Sequence, residues 1–253
     1  MVIKKIENQE KEEVFQFCRE VFLQTENFFS DDETIKPFLE SVDHFTSLMD
    51  FIGAYDKELI GVIGYAKDTY ALSIFLMKEE KEELKKNLFQ AYLEEVKKED
   101  YARVGAIVSP QAKAFYEELG FEQVEEEQEQ NGISYITMEY LLQKEYLGKK
   151  VHVYIDHPYG SMHPLVGEFC SCNCGYIDEE GMLEGEFQDA YVVGIKEPLE
   201  RFEGYVVGIL YRKNEQQSKW IIAKEPIFHK QEVIQEIAFI EQQYDSRIIG
   251  INE

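Results

Sequence analysis

Three cysteines, Cys170, Cys172 and Cys174, fall at every second position, with His157 and His163 a short way before them. On an extended strand this spacing puts the three thiols on one face. A zinc ion could recruit them together with one of the histidines; the same pattern equally suits small thiols buried in a core. A second candidate is Tyr116, within Ala114-Phe115-Tyr116-Glu117-Glu118-Leu119-Gly120. A phenol stays protonated at neutral pH and can hand a proton to a leaving group. Next to Phe115, Tyr116 equally suits an apolar helix face. A third feature is the group Glu80, Glu82 and Glu83 among Lys78, Lys81, Lys85 and Lys86. Carboxylates there would complement the dipole of a helix in its first turn.

The elements that must carry these residues alternate between helix and strand. Val14, Phe17, Cys18, Val21 and Phe22 recur at helical spacing and predict a helix over residues 9–23. Phe51 to Tyr55 and Leu59 to Ala66, joined by Asp56-Lys57-Glu58, predict a hairpin. Leu72 to Met77 predicts a strand, and Leu84, Leu88, Leu93 and Val96 the apolar stripe of the next helix. Arg103 to Val108 predicts another strand. Ser109 is then expected to cap a helix with Pro110 at its first position and Gly120 at its end. Phe121 to Gln130 and Ile133 to Leu142 predict a second hairpin around Asn131-Gly132. A new alternating run starts at Val151, followed by runs at Ala190–Ile195, Tyr205–Arg212 and Trp220–Ala223. A helix with Val233, Ile237, Ile240 and Tyr244 on one face closes the chain. Two domains follow, residues 1–145 and 146–253, each long enough for its own core.

Charge narrows the partners. With 26 basic and 50 acidic side chains in 253 residues, the net charge is -24. Residues 1–147 carry 16 basic and 32 acidic groups, and residues 148–253 carry 10 and 18. Such a polyanion repels phosphate backbones and anionic lipid, which argues against nucleic-acid and membrane partners. No apolar signal core opens the sequence, and four cysteines make no disulfide framework, so a cytoplasmic setting is expected. A homo-oligomer stays open.

The element order of residues 1–142, together with Ala114 to Phe121, resembles the GNAT acetyltransferase superfamily. The resemblance implies an α+β fold, a mixed sheet with flanking helices. It implies acetyl-CoA in a cleft between two splayed strands, here 71–77 and 103–108, with contacts from Ile74, Phe75, Leu76, Lys81 and Lys85. The family's pyrophosphate loop corresponds to Glu80 to Lys85, which holds no glycine. Tyr116 matches the tyrosine that protonates the departing thiolate, and the acyl acceptor would be a small-molecule or protein amine.

Residues 148–253 resemble soluble inorganic pyrophosphatases, through Gly148 to Pro164, Asn173 to Ile177 and Gly185 to Gly194. This implies a small OB-like β-barrel with a terminal helix. Phosphate contacts would come from Tyr176 and Lys219, and Mg²⁺ would sit among Glu184, Glu186 and Asp189. That acidic group reads equally as a solvated hairpin. The expected arginine is replaced by His157, and an aspartate by Gln217. Three functions are therefore open. They are acyl transfer by the first domain, non-catalytic binding of a phosphate-bearing metabolite or a partner, and Mg²⁺-dependent phosphoanhydride hydrolysis by the second.

Overall fold

The computed structural model describes residues 1–24, 48–99, 101–130, 132–178 and 187–252. The chain divides into two compact units, one of Met1–Lys98 with Val104–Tyr140 and one of Glu99–Arg103 with Leu141–Glu253. Glu99 and residues 101–103 thus belong to the second unit although the first lies on either side of them in sequence.

The first unit is a mixed sheet in the order β1-β2-β3-β4-β5-β8-β6, with β7 paired to β8. Its strands are β1 (Val2–Lys5), β2 (Met49–Asp56), β3 (Glu58–Ala66), β4 (Leu72–Met77), β5 (Arg103–Val108), β6 (Glu122–Gln123), β7 (Gln128–Gln130) and β8 (Ile133–Leu141). The helices are α1 (Lys11–Gln24), α2 (Glu82–Val96) and α3 (Lys113–Glu118). Lys57 takes a positive φ of 69° in the tight β2–β3 turn. Val14, Phe17 and Cys18 of α1 bury against Phe51, Leu59 and Val62, and Ile74 and Leu76 pack on the same cluster. The α2 stripe is as the spacing predicts, with Leu84, Leu88, Leu93 and Val96 all buried.

Two local expectations need correction. Ser109 makes no side-chain capping bond, and Pro110–Ala112 is a 3₁₀ turn leading into a short α3. Proline fixes φ but supplies no donor, so the tighter turn forms first. Residues 121–130 do not form one strand: β6 and β7 are separate short pieces, divided by the acidic run Glu125-Glu126-Glu127. Asn131 lies outside the described residues, while Gly132 has the positive φ (79°) expected of that turn.

The second unit holds β9 (Lys150–His157), β10 (Asn173–Ile177), β11 (Gln188–Val192), β12 (Arg201–Arg212), β13 (Ser218–Ala223), α4 (Lys230–Glu241) and β14 (Ser246–Gly250). The strand order is β13-β11-β10-β9-β12-β14, and β12 also pairs β13, so the pairing path returns on itself. Only the β11–β13 pairing is parallel among the described pairs of this sheet. Alternation sorts side chains into two cores. Val192, Val206, Ile209, Trp220 and Ile222 meet on one face. Tyr191, Val207, Leu210 and Ile221 meet α4 on the other, through Val233, Ile237 and Ile240. The chain's last element is the strand β14, not a helix, and Tyr244 lies past the end of α4. The helix stops at Gln242 because the chain must turn back to pair Ser246–Gly250 with β12. No helix among the described residues is long and apolar enough to cross a membrane.

Candidate functional site

In the first unit the parallel strands β4 and β5 pair at one register point, Leu72 with Ala106. Beyond it, β4 keeps its antiparallel partner β3 as far as Met77, with no further β5 partner among the described residues. The two strands therefore part, and backbone groups on the β5 side of β4 remain free to bond a ligand. Directly after β4, Lys81 is the N-cap of α2, and its side chain makes no capping bond. The first helical bond is from the Lys85 N–H to the Lys81 carbonyl, at 2.9 Å. The N–H groups of Glu82, Glu83 and Leu84 are left without an intrahelical partner, the usual condition for holding an anion.

The carboxylates beside this helix end are largely engaged. Lys81 pairs with Glu79 at 2.6 Å. Lys85, buried to 2% exposure, bonds Glu118 of α3 at 2.6 Å and Glu82 at 2.7 Å. Those two bonds, Glu118 first, hold its ammonium well above the ordinary lysine range. The same ammonium lies 5.3 Å over the Phe115 ring, and Phe115 meets Phe75 of β4 edge to face at 5.1 Å. Phe75, Lys85, Phe115 and Glu118 thus form one constellation where β4, α2 and α3 converge.

Tyr116 is 8% exposed, its ring edge-on to Phe115 and Phe121. Burial pushes its phenol up to about 12, so it is protonated throughout the neutral range.

The second unit contains a cavity of about 270 Å³ on the α4 side of its sheet. It is lined by His157, His163, Cys174, Asp189, Arg212 and Lys219, among others. Lys219 reaches Asp189 at 2.7 Å. His157 holds Asp156 through Nδ1 at 2.7 Å, and its ring lies 4.7 Å from that of His163. His163 is 6% exposed, and its Nδ1 accepts the Leu165 N–H at 3.4 Å, which leaves its proton on Nε2. Burial first, and His157 second, keep it below the ordinary histidine value and therefore neutral at pH 7.

Residues 18–142, just under half of the chain, match the family model of the acetyltransferase (GNAT) domain. This stretch is similar to that family's domain. Solved structures similar to the chain include the PaiA N-acetyltransferase of Thermoplasma acidophilum in complex with coenzyme A (21% identity, 56% of this chain and 99% of that one, TM-score 0.43). Others are an acyl-CoA N-acyltransferase from Pseudomonas aeruginosa (17%, 55% and 98%, 0.41) and an N-acetyltransferase from Staphylococcus aureus Mu50 (16%, 56% and 97%, 0.43). No curated protein matches the sequence.

Within the first unit the expected contact residues separate. Phe75 and Lys85 come together through Phe115, and Tyr116 follows it on α3. Ile74 and Leu76 point to the α1 cluster, because side chains alternate along a strand, so only their backbone faces the parted edge. Lys81 is exposed and turned to Glu79. Glu118 and Phe115, which organise Lys85, escaped sequence reasoning. Their signal was present in the α3 segment but needed α2 beside it.

In the second unit Lys219 and Asp189 do share the cavity, whereas Tyr176 stacks on Tyr154 at 5.6 Å and does not line it. Glu184 and Glu186 lie outside the described residues. Of the three cysteines only Cys174 belongs to a strand, yet all three are buried in one cluster. No group of three or more histidine, cysteine, aspartate or glutamate side chains among the described residues is placed to hold a metal.

One prediction concerns buried phenols. Burial raises Tyr65, Tyr92, Tyr116 and Tyr191 above the ordinary 10.0. The unfolded chain then releases these protons before the folded chain does. Stability from this source is complete below pH 10 and falls as pH rises through and above it. Urea midpoints are expected to drop between pH 9 and 11 (a flat profile would contradict the burial), with roughly half the loss removed in a Tyr191→Phe, Tyr92→Phe variant.

Proposed function

We propose that residues 18–142 transfer an acyl group from acyl-CoA to an amine. The observation that carries this reading is the parting of β4 and β5 beside an uncapped helix end. The donor set fits the cofactor. The Glu82, Glu83 and Leu84 amides would hold its phosphates, and the free β4 edge at Ile74–Leu76 would bond its amide-bearing arm. Lys85 offsets the charge of Glu82 and Glu118, and Lys81 that of Glu79. This answers the repulsion that carboxylates would otherwise impose, roughly 3 kcal/mol for two like charges about 5 Å apart at an effective dielectric of 20. Bound acyl-CoA supplies the thioester carbon and the sulfur leaving group. Tyr116, protonated and close to this cleft in sequence and helix, donates the proton that leaving sulfur requires.

Thermal melts with acetyl-CoA test the reading. At about 100 times its dissociation constant a ligand adds about 2.7 kcal/mol to the stability of the fold that binds it, a shift of several degrees. Tyr116→Phe is expected to keep that shift and to lower the transfer rate about 100-fold. Absence of any shift at saturating acetyl-CoA would sink the proposal.

The second unit favours a different reading. We read its returning pairing path as that of a small OB-like barrel, with a cavity lined by Lys219, Arg212 and His163. We read it as a binding module for a phosphate-bearing small molecule, or, with Asp189 and the two glutamates, a Mg²⁺-dependent phosphoanhydride hydrolase. Isothermal titration with pyrophosphate, with and without Mg²⁺, separates these. Binding that survives Lys219→Met unchanged would contradict both.

A further inference from the structure

The cysteine cluster has no part in either reading above. Cys172 Sγ and Cys174 Sγ lie 3.9 Å apart. Cys172 is fully buried, Cys170 is 2% exposed and Cys174 6% exposed. Among these three only Cys174 lines the cavity, so a small reagent entering there meets this sulfur first and finds Cys172 directly behind it. The cavity also brings a proton acceptor. Across the β9–β10 ladder Cys174 is registered opposite His157, and Gly175 opposite Ile155, so Asp156 is the extra residue of a bulge. Bulges re-aim side chains, and here Asp156 holds His157 at Nδ1. With its proton on Nδ1 facing the carboxylate, His157 has its free lone pair on Nε2.

We propose that Cys174 and Cys172 form a dithiol that reduces small hydroperoxides, with Cys174 attacking and Cys172 resolving. The Cys174 thiol passes its proton to His157, and its sulfur attacks the terminal peroxide oxygen. The O–O bond breaks, the alcohol or water leaves with the proton from His157, and Cys174 becomes a sulfenic acid. Cys172 sulfur then attacks that sulfur, the S–O bond breaks, and hydroxide leaves as water with the Cys172 proton. Two thiols are oxidised to one disulfide while one peroxide is reduced.

The test uses the full-length protein, treated with one equivalent of hydrogen peroxide, quenched with an alkylating agent under denaturing conditions and mapped by mass spectrometry. A Cys172–Cys174 disulfide, with the mass loss of two hydrogens and with Cys18 and Cys170 still alkylated, supports the proposal. So does a dimedone adduct on Cys174 in Cys172→Ser. Oxidation of Cys18 or Cys170 ahead of Cys174, a Cys170–Cys174 disulfide, or no oxidation in protein whose melting curve shows it folded would overturn it. Should the serine variant fail to fold, native alkylation of the wild type by iodoacetamide decides, since Cys174 must react first.

Discussion

Glu241→Ala is expected to destabilise the second unit by about 3–5 kcal/mol, because it leaves a buried arginine without its counter-charge. Arg212, at the end of β12, donates from Nε to Glu241 at 3.1 Å and from Nη2 at 2.8 Å, and Tyr191 donates its hydroxyl to the same carboxylate at 2.5 Å. The two ionic side chains are only 8% and 5% exposed. Arg212 also bonds Glu215 at 2.6 Å and stacks over Tyr244 at 3.7 Å. With Glu241 gone, Glu215 remains as the partial partner, so the loss falls short of an isolated buried charge. For a unit of this size the expected fall in melting temperature is roughly 10–20 °C. The pair is not inherently stabilising, since desolvation offsets most of its attraction. The combined replacement Arg212→Met, Glu241→Leu and Tyr191→Phe, which removes every group needing a partner, is therefore expected to recover most of the loss. A single variant that melts like the wild type would show that water reaches Arg212.

Gly175→Ala is expected to prevent the second unit from folding. A Cβ built at Gly175 would sit 1.9 Å from the Tyr154 carbonyl oxygen, 2.8 Å from its carbon and 2.9 Å from the Ile155 Cα. These are backbone atoms of the neighbouring strand, so no side chain can move aside. β9 and β10 would have to separate at the bulge, and both the closed pairing and the cavity depend on that contact. The cost belongs with the exceptional substitutions above about 4–5 kcal/mol. Gly160→Ala is the informative comparison. Gly160 has a positive φ of 77° but nothing near its missing Cβ, so its replacement should cost only about 1 kcal/mol. Circular dichroism melts and soluble yield distinguish the two. Equal behaviour would place the β9–β10 contact elsewhere.

Much of the fold was legible because its signals are local. The β2–β3 hairpin, the α2 stripe and the strands β4, β5 and β9 follow from periodicity, which depends only on how side chains repeat along a strand or a helix. The same logic misjudged residues 121–130 and the helix start at Ser109. There the polar run at Glu125-Glu126-Glu127 and the missing proline donor altered the hydrogen bonding without altering the apolar pattern. It also missed β14: Arg247-Ile248-Ile249-Gly250 is too short to show a period of its own, and it becomes a strand only by pairing with β12.

The site divides along the same line. Sequence alone determined which residue types were available: the phenol at Tyr116, the lysines beside the start of α2, the three thiols, and the Asp189 and Lys219 pair. Tertiary structure decided which of them meet. It turned Phe75 toward Phe115 and Ile74 and Leu76 away, buried Lys85 between Glu82 and Glu118, and took Tyr176 out of the cavity into a stack with Tyr154. It also left Cys174 alone of the three thiols at the cavity wall. The reason is physical. Charge and burial at a site arise from groups far apart in the chain, brought together by strand pairing and helix packing. A linear pattern records the period of each element but not the partner that the element will find.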